Sequence, residues 1–482
     1  MARSSETSRR RLLAPLGDGD YPACFDTAEG RWLTAPKLRR VVDECASRLE
    51  APGKSLAFCF CDNGLMALAA YLACWAAGHA VLLLDAKLDE PFRERLCALY
   101  QPEFLLAPQP VWARTGSFGA NYVSTTSAGL VIGRSSARQS SRIHPDLAVL
   151  LSTSGSTGSP KLVKLSYENI VANALQICDA LAIQPPQRAV TSLPMHYSYG
   201  LSVVNSHLAA GASLVLTGEG ILSPAFWAAV RQQRCTSLAG VPYMYQMLRR
   251  LDLDALDVPE LNTMTQAGGK LDDDLIARFH GVMKARDGRF FVMYGQTEAT
   301  ARIAVLPSDA LPAKRGSVGK PVPGGVLAIE KEGIPIQTAF SEGEVVFNGP
   351  NVMMGYATCR EDLAMGPELD STLHTGDLGY LDDSGFLYIT GRTKRISKIL
   401  GLRINLDEVE SLLKGHGPTA VIEDNERLLI FCEYGEDPDH ARYAQALGET
   451  LKIHPSLFAF RRVESLPLTA NGKIDYRKLA IQ

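Results

Sequence analysis

A chain of 482 residues with 46% hydrophobic and 21% charged residues has apolar material for more than one folding unit, which excludes a disordered or fibrous chain. A formal net charge of -3 supplies no concentrated positive field. Nucleic acid and anionic membranes are therefore not expected partners; a small molecule or another protein is.

The basic run Arg9-Arg10-Arg11 sits in a Ser-rich stretch and leads only to Leu12 and Leu13 before Ala14-Pro15. It lacks the apolar core of a signal peptide and reads as a solvated N-terminal tail. The apolar run Leu56–Cys61 reads as a buried strand, and Cys59 and Cys61 would fall on the same face of it. That spacing suits neither a zinc site nor a redox motif, and no CxxC pair occurs among the ten cysteines. Reduced thiols in a cytoplasmic protein are expected. The segment Leu65–Ala77 reads as a helix and 80–84 as a second short strand ending at Asp85. Gly78 and His79 interrupt the apolar stretch, so no membrane span is expected.

An amphipathic stretch over Glu90–Tyr100 continues the alternation of strand and helix, the signature of a mainly parallel sheet covered by helices. The fold class is α/β. The Ser, Thr, Ala and Gly-rich stretch 116–142 reads as a surface connection into the apolar run 147–151. Between 318 and 356, short strands punctuated by Gly and Pro predict a β-rich subdomain. Residues 376–389 read as two strands joined by an Asp-Ser-Gly turn, and Gly391-Arg392-Thr393-Lys394-Arg395 as a link to a small α+β domain with a helix over 407–414 and a strand over 428–433.

After the run 147–151 comes Thr153-Ser154-Gly155-Ser156-Thr157-Gly158-Ser159-Pro160-Lys161. Glycines let backbone N–H groups approach phosphate oxygens, hydroxyls donate further hydrogen bonds, and a lysine neutralises charge. A Walker A loop needs Gly before the Lys and Ser or Thr after it; here stand Pro160 and Leu162, so the P-loop reading fails. By itself such a stretch is more often a flexible loop.

Together with Tyr294-Gly295-Gln296-Thr297-Glu298, Thr375-Gly376-Asp377, Gly391-Arg392 and Asn471-Gly472-Lys473, however, the loop resembles the signature of the adenylate-forming (AMP-binding) superfamily. This group includes acyl-CoA synthetases, aryl-CoA ligases, the adenylation domains of nonribosomal peptide synthetases, and luciferases. The resemblance covers roughly residues 30 to 480. It implies a large N-terminal domain of helix-covered sheets over 1–391, holding the ATP and carboxylate sites, and a small mobile α+β lid over 392–482 with a hinge near 392–395.

The resemblance also implies roles. Thr153, Ser154, Gly155, Ser156, Thr157, Gly158 and Lys161 would cradle the outgoing phosphates, where two anions must meet. Thr297 would bind the α-phosphate and Glu298 would hold Mg²⁺. Tyr294 would lie along the adenine, within the motif it shares with Gly295 and Gln296, and the backbone of Gly268-Gly269 would pass close to the base. Asp377 would accept both ribose hydroxyls, with Arg392 a nearby donor. Lys473 would contact the reacting carboxylate and the α-phosphate, and Lys394 would be the hinge about which the lid, with its loop 398–403, turns between two half-reactions. His196, in Met195-His196-Tyr197-Ser198-Tyr199-Gly200, would orient the acyl group or else be a packed core histidine. Gly200 stands where amino-acid-activating members place an Asp, which disfavours an α-amino acid as substrate.

The expected cofactors and substrates are ATP, Mg²⁺, a small-molecule carboxylic acid, and coenzyme A or the phosphopantetheine of a carrier protein. The sequence ends at Gln482, shortly after Lys473, so a carrier is expected to be a separate protein. A non-catalytic nucleotide-binding homologue is the alternative of another class. It predicts losses at Lys161, Thr297, Glu298, Asp377 or Lys473, and all are present. Nothing specific supports a luciferase-like oxidative fate. Leu162 and Tyr476 depart from the family pattern, which has Gly and often Arg there.

Overall fold

The structure is a computed structural model that describes residues 2–17, 19–115, 122–136, 142–152, 161–251, 256–399, 402–413, 417–424, 427–433, 439–451, 453–469 and 473–480. The chain divides into two compact units. The first is Met1–Arg315 with Gly319–Val326 and Asn348–Leu373; the second is Gly316–Val318 with Leu327–Phe347 and His374–Gln482.

Two sheets build the first unit. In one, the strands run from edge to edge Gly355–Ala357, Leu162–Ser166, Leu147–Ser152, Ala80–Asp85, Leu56–Cys61, Phe104–Pro108, Leu130–Ser135 and Tyr122–Ser127. The centre is parallel: Leu56–Cys61 pairs with Ala80–Asp85 and Phe104–Pro108, and Ala80–Asp85 with Leu147–Ser152. All six residues of Leu56–Cys61 are buried, as a strand covered on both faces requires. In the other sheet, Pro22–Asp26, Ser213–Leu216, Arg188–Val190, Ser237–Gly240, Thr263–Gln266 and Arg289–Tyr294 are successively parallel, with antiparallel strands at both edges.

Helices cover these sheets. The helix Tyr167–Leu181 starts on a reciprocal capping box: the Asn169 N–H donates to the Ser166 hydroxyl (3.0 Å) and the Ser166 N–H to the Asn169 amide oxygen (2.9 Å). Among the described residues no helix is long and apolar enough to cross a membrane, and the expected helix and strand at 65–84 are found as Leu65–Ala77 and Ala80–Asp85.

Two sequence expectations change. The basic N-terminal segment is not a solvated tail: it forms the helix Ala2–Leu13, which packs on helices Tyr167–Leu181 and Ser198–Ala209, with Leu12, Leu13 and Leu16 buried. Besides these apolar residues at its end, Arg9 holds the helix in place, its guanidinium lying against Gly78 and the Tyr167 side chain. The 116–142 stretch is not all surface connection either. Its described part contains the hairpin Tyr122–Ser127 and Leu130–Ser135, turned at Ala128 (φ +51°) and Gly129 (φ +93°) and anchored by buried Leu130, Val131 and Ile132.

The second unit holds the β-rich subdomain expected from the sequence. Its strands run in the order Ile334–Pro335, Val326–Lys331, Gly343–Asn348, Thr372–Leu381 and Leu387–Arg392. The same unit contains a sheet of Thr419–Asp424, Arg427–Cys432 and Phe458–Arg462 and the helices Leu406–Leu412 and His440–Leu451, the α+β mixture anticipated for the C-terminal part. Packing thus groups the five-stranded sheet with the C-terminal residues, whereas the sequence places it before a boundary at 391/392.

Candidate functional site

In the first unit the expected site residues follow the carboxyl ends of parallel strands, the part of an open α/β sheet where loops leave a crevice for ligands. Asp85 ends its strand beside Leu147–Ser152, the strand that leads into residue 153. The segment 192–197 follows Arg188–Val190, Gly268 follows Thr263–Gln266, and Tyr294 ends Arg289–Tyr294.

Thr153, Ser154, Gly155, Ser156, Thr157 and Gly158 lie outside the described residues, as do Asn471 and Gly472. Lys161 is described. Its ammonium lies 3.3 Å from the centroid of the Tyr356 ring, and the Tyr356 hydroxyl donates to Glu298 Oε1 at 3.0 Å. Strand pairing explains this line of groups: Leu162–Ser166 lies between Leu147–Ser152 and Gly355–Ala357, with Leu162 opposite both Ser152 and Ala357. Leu162 is buried there, so the departure from the family's Gly is a strand residue packed between neighbours. Burial, and after it the Glu298 carboxylate, push the Tyr356 hydroxyl above its ordinary value, which keeps it a donor.

Glu298 sits in the short 3-10 turn Thr297–Ala299, where its carbonyl accepts from the Met353 N–H at 2.9 Å. Thr297 is buried and its hydroxyl lies 3.1 Å from that of Ser198, in the first turn of the helix Ser198–Ala209. Gly295 has a structural reason: a Cβ there would stand 1.8 Å from the Ala301 carbonyl oxygen. At Gly268 (φ +90°) a Cβ would stand 2.7 Å from the Tyr197 hydroxyl, so the backbone passes against that ring. Gly269 is held by its carbonyl, which accepts from Gln266 Nε2 at 2.7 Å.

His196 Nε2 is 4.0 Å from Asp85 Oδ2, and its buried Nδ1 has no hydrogen-bond partner. Burial lowers the His196 pKa below its ordinary 6.5, against the opposing pull of Asp85, so the ring is neutral at pH 7. Gly200 does not face an open pocket. A Cβ there would meet the Pro194 carbonyl oxygen at 2.2 Å, so this backbone has no room for a side chain, charged or not.

In the second unit Asp377 and Arg392 are register partners on adjacent strands, and Arg392 Nε donates to Asp377 Oδ1 at 3.0 Å. The Asp377 backbone is fixed by Thr375, whose hydroxyl accepts from the Asp377 N–H (3.1 Å) and donates to the Val345 carbonyl (2.7 Å). Lys394 lies in the 3-10 turn Thr393–Arg395, its side chain outside what is described. Arg395 Nε donates to Asp407 Oδ1 (2.8 Å), and its guanidinium stacks 3.9 Å from the centroid of the Tyr476 ring, whose hydroxyl donates to Glu410. Tyr476 is therefore part of a buried ion network, which accounts for its departure from the family pattern. Lys473 is held by Thr469, whose N–H donates to the Lys473 carbonyl at 2.7 Å.

Sequence reasoning missed Tyr356, Asp85 and Ser198, each of which reaches an expected site residue only through the fold.

A model of the AMP-binding enzyme family matches residues 15–357. The chain belongs to this family. An oxalate–CoA ligase of Arabidopsis thaliana is 32% identical over 361 residues, 70% of this chain and 68% of that protein. A linear gramicidin synthase of Brevibacillus parabrevis is 31% identical over 352 residues, 69% of this chain and 4% of that far longer protein. Among solved structures, o-succinylbenzoate CoA synthetase from Bacillus subtilis, in complex with its acyl-adenylate intermediate, shares the fold with a TM-score of 0.76 at 22% identity, over 98% of this chain and 97% of that one.

In this AMP-binding enzyme the line of ammonium, phenol and carboxylate at Lys161, Tyr356 and Glu298 brings to one place a charge for phosphate oxygens and a hard oxygen donor for a divalent cation. Among the described residues no group of three or more His, Cys, Asp or Glu is arranged to hold a metal. A cation there would be held by one carboxylate and completed by substrate oxygens and water. That donor set fits Mg²⁺.

Proposed function

We propose that this chain is an ATP-dependent acid–thiol ligase. A carboxylate oxygen attacks the α-phosphorus of ATP, the bond to the bridging oxygen breaks, and pyrophosphate leaves. A thiol then attacks the acyl carbon of the adenylate, and AMP departs with the carboxylate-derived oxygen. The observation that carries this reading is the convergence of Lys161, Tyr356 and Glu298, with Thr297 and Ser198 one residue and one hydroxyl away.

Lys161, with the loop Thr153 to Gly158, balances the outgoing phosphates. Thr297 donates to the α-phosphate, and Glu298 holds Mg²⁺, which neutralises phosphate charge when bound. Tyr356 is a positioning residue that fixes Glu298 through its hydroxyl. Tyr294, Gly268 and Gly269 border the adenine, with Gly295 and Gln296 shaping the same loop. Asp377, oriented by Arg392, receives the ribose hydroxyls. Neutral His196 borders the acyl carbonyl, and Lys473 meets the reacting carboxylate. The acceptor is coenzyme A, in keeping with the similarity to the oxalate–CoA ligase. Similarity to the gramicidin synthase makes a separate carrier protein's phosphopantetheine the competing acceptor. The cytoplasm suits the chain, since all ten cysteines are free thiols.

The test is pyrophosphate release over fatty, aryl, hydroxy and amino acids, with and without coenzyme A. Acid-dependent release, with thioester formed only when coenzyme A is present, is expected. No release with any acid would sink the reading.

Residues 392–482 act as the lid, turning about Lys394 between the half-reactions. Lys394→Pro should leave adenylation within about threefold while slowing thioester formation by about 10²-fold, the loss expected when a reacting group is mispositioned. Equal loss of both half-reactions would place the hinge elsewhere. Tyr356→Phe removes one hydrogen bond to a carboxylate and should raise the KM for Mg-ATP about tenfold with a smaller change in kcat. An unaltered KM would show that Glu298 needs no such support.

A further inference from the structure

Beside the helix Ser198–Ala209 lies a cavity whose walls include Tyr199, Ser202, His207, Thr265, Met293 and Arg302. Arg302 is only 2% exposed, and its charge is unusually placed for this chain. The other buried lysine and arginine side chains among the described residues each have a carboxylate: Arg93 has Glu90, Lys164 has Glu368, and Arg360 has Glu103. Arg302 has none among the described residues. Its guanidinium lies 4.6 Å from the centroid of the Tyr199 ring, makes one long contact from Nη2 to the Ser202 hydroxyl (3.5 Å), and leaves Nε without a partner. An always-charged group with five donors is costly to bury in that state, so an anion is the missing component.

The other polar walls cannot supply one. The Tyr199 hydroxyl is engaged with Thr265 Oγ1 (2.7 Å) and the Thr265 carbonyl (3.0 Å). His207 is held by its Nδ1 against the Val203 carbonyl at 2.9 Å, and burial lowers its pKa to about 4, leaving it neutral. The helix that walls the cavity also reaches Thr297 at its first turn. Ser198 touches Thr297, and Ser202, four residues on, touches Arg302. The two lie on one face, about 6 Å apart along the axis. A short carbon chain spans that distance.

We propose that the acid activated by this enzyme is a short aliphatic dicarboxylic acid, one carboxylate reacting beside Thr297 and the other pairing with Arg302. The inference rests on the ligase reading above and deepens it by naming the substrate class. A planar guanidinium binds a carboxylate through paired N–H donors, and a ligand that leaves it unpaired forfeits most of that contact.

The experiment compares kcat/KM for pyrophosphate release with succinate, glutarate and adipate, with their monomethyl esters, and with monocarboxylates of equal length. Wild type should favour the best diacid over its monoester by about 10²-fold or more. Arg302→Met should bring that ratio close to one, and Arg302→Lys should retain part of it. Equal use of monoesters by wild type, preference for an acid lacking a second anionic group, or an undiminished ratio in Arg302→Met would overturn the proposal. If Arg302→Met does not fold, the wild-type ratio and Arg302→Lys still decide. Release with no acid of any class is a separate result, since it removes the ligase reading itself.

Discussion

Replacing Lys473 by alanine is expected to slow acid-dependent exchange of pyrophosphate into ATP by about 10²–10³-fold while leaving ATP binding nearly intact. The reason lies in when the charge is needed. On the proposed mechanism Lys161 already meets the triphosphate in the ground state, whereas the carboxylate and the α-phosphate repel one another increasingly as they approach. A cation aimed at that junction acts mainly in the transition state, so its loss appears in kcat and not in nucleotide affinity. Thr469 holds Lys473 by its backbone N–H and carbonyl, and both hydrogen bonds remain when the side chain is cut back to a methyl group. Unchanged exchange in a folded Lys473→Ala protein would remove the residue from the chemistry.

Glu298→Gln is the second large effect. The substitution keeps shape and keeps an oxygen to accept from the Tyr356 hydroxyl, but it removes the charge that would hold a divalent cation. A fall in kcat/KM of about 10²-fold is expected, with a raised Mg²⁺ concentration for half-maximal rate. Calorimetry or thermal shift with Mg-ATP reads the binding loss directly, without turnover. A Mg²⁺ dependence equal to that of wild type would mean that another group holds the ion.

Local pattern makes much of the framework legible. Leu56–Cys61, Leu65–Ala77, Ala80–Asp85 and Glu90–Tyr100 are found where periodicity and turn residues put them, because burial on both faces of a parallel strand leaves an uninterrupted apolar run in the sequence. Where composition and burial disagree, the pattern misleads. Arg9, Arg10 and Arg11 dominate the appearance of the N-terminus, yet Leu12, Leu13 and Leu16 are buried and Arg9 itself lies against Gly78. The hairpin at 122–135 is hidden in the same way, since a strand at the edge of a sheet can carry Ser and Thr on its open face.

The site is legible only as a set of motifs, and what connects them is not. Tyr356 meets Glu298 across 58 residues and Arg302 meets Ser202 across 100, and no spacing rule relates such positions before the strands are paired. Gly200 carries a local constraint that no motif shows. Its lack of charge reads as a statement about substrate, but the carbonyl of Pro194 already forbids a side chain there. Evidence about the acid passes instead to Arg302, a residue with no motif to mark it.

The central claim, that a carboxylate is joined to AMP before it reaches a thiol, is tested most directly by isotope transfer. An acid that supports pyrophosphate release is labelled with ¹⁸O in its carboxyl group and turned over with ATP and coenzyme A, and the AMP is analysed by mass spectrometry. The mechanism predicts one carboxylate oxygen in each AMP and none in pyrophosphate. Unlabelled AMP, or label appearing in phosphate, would contradict it.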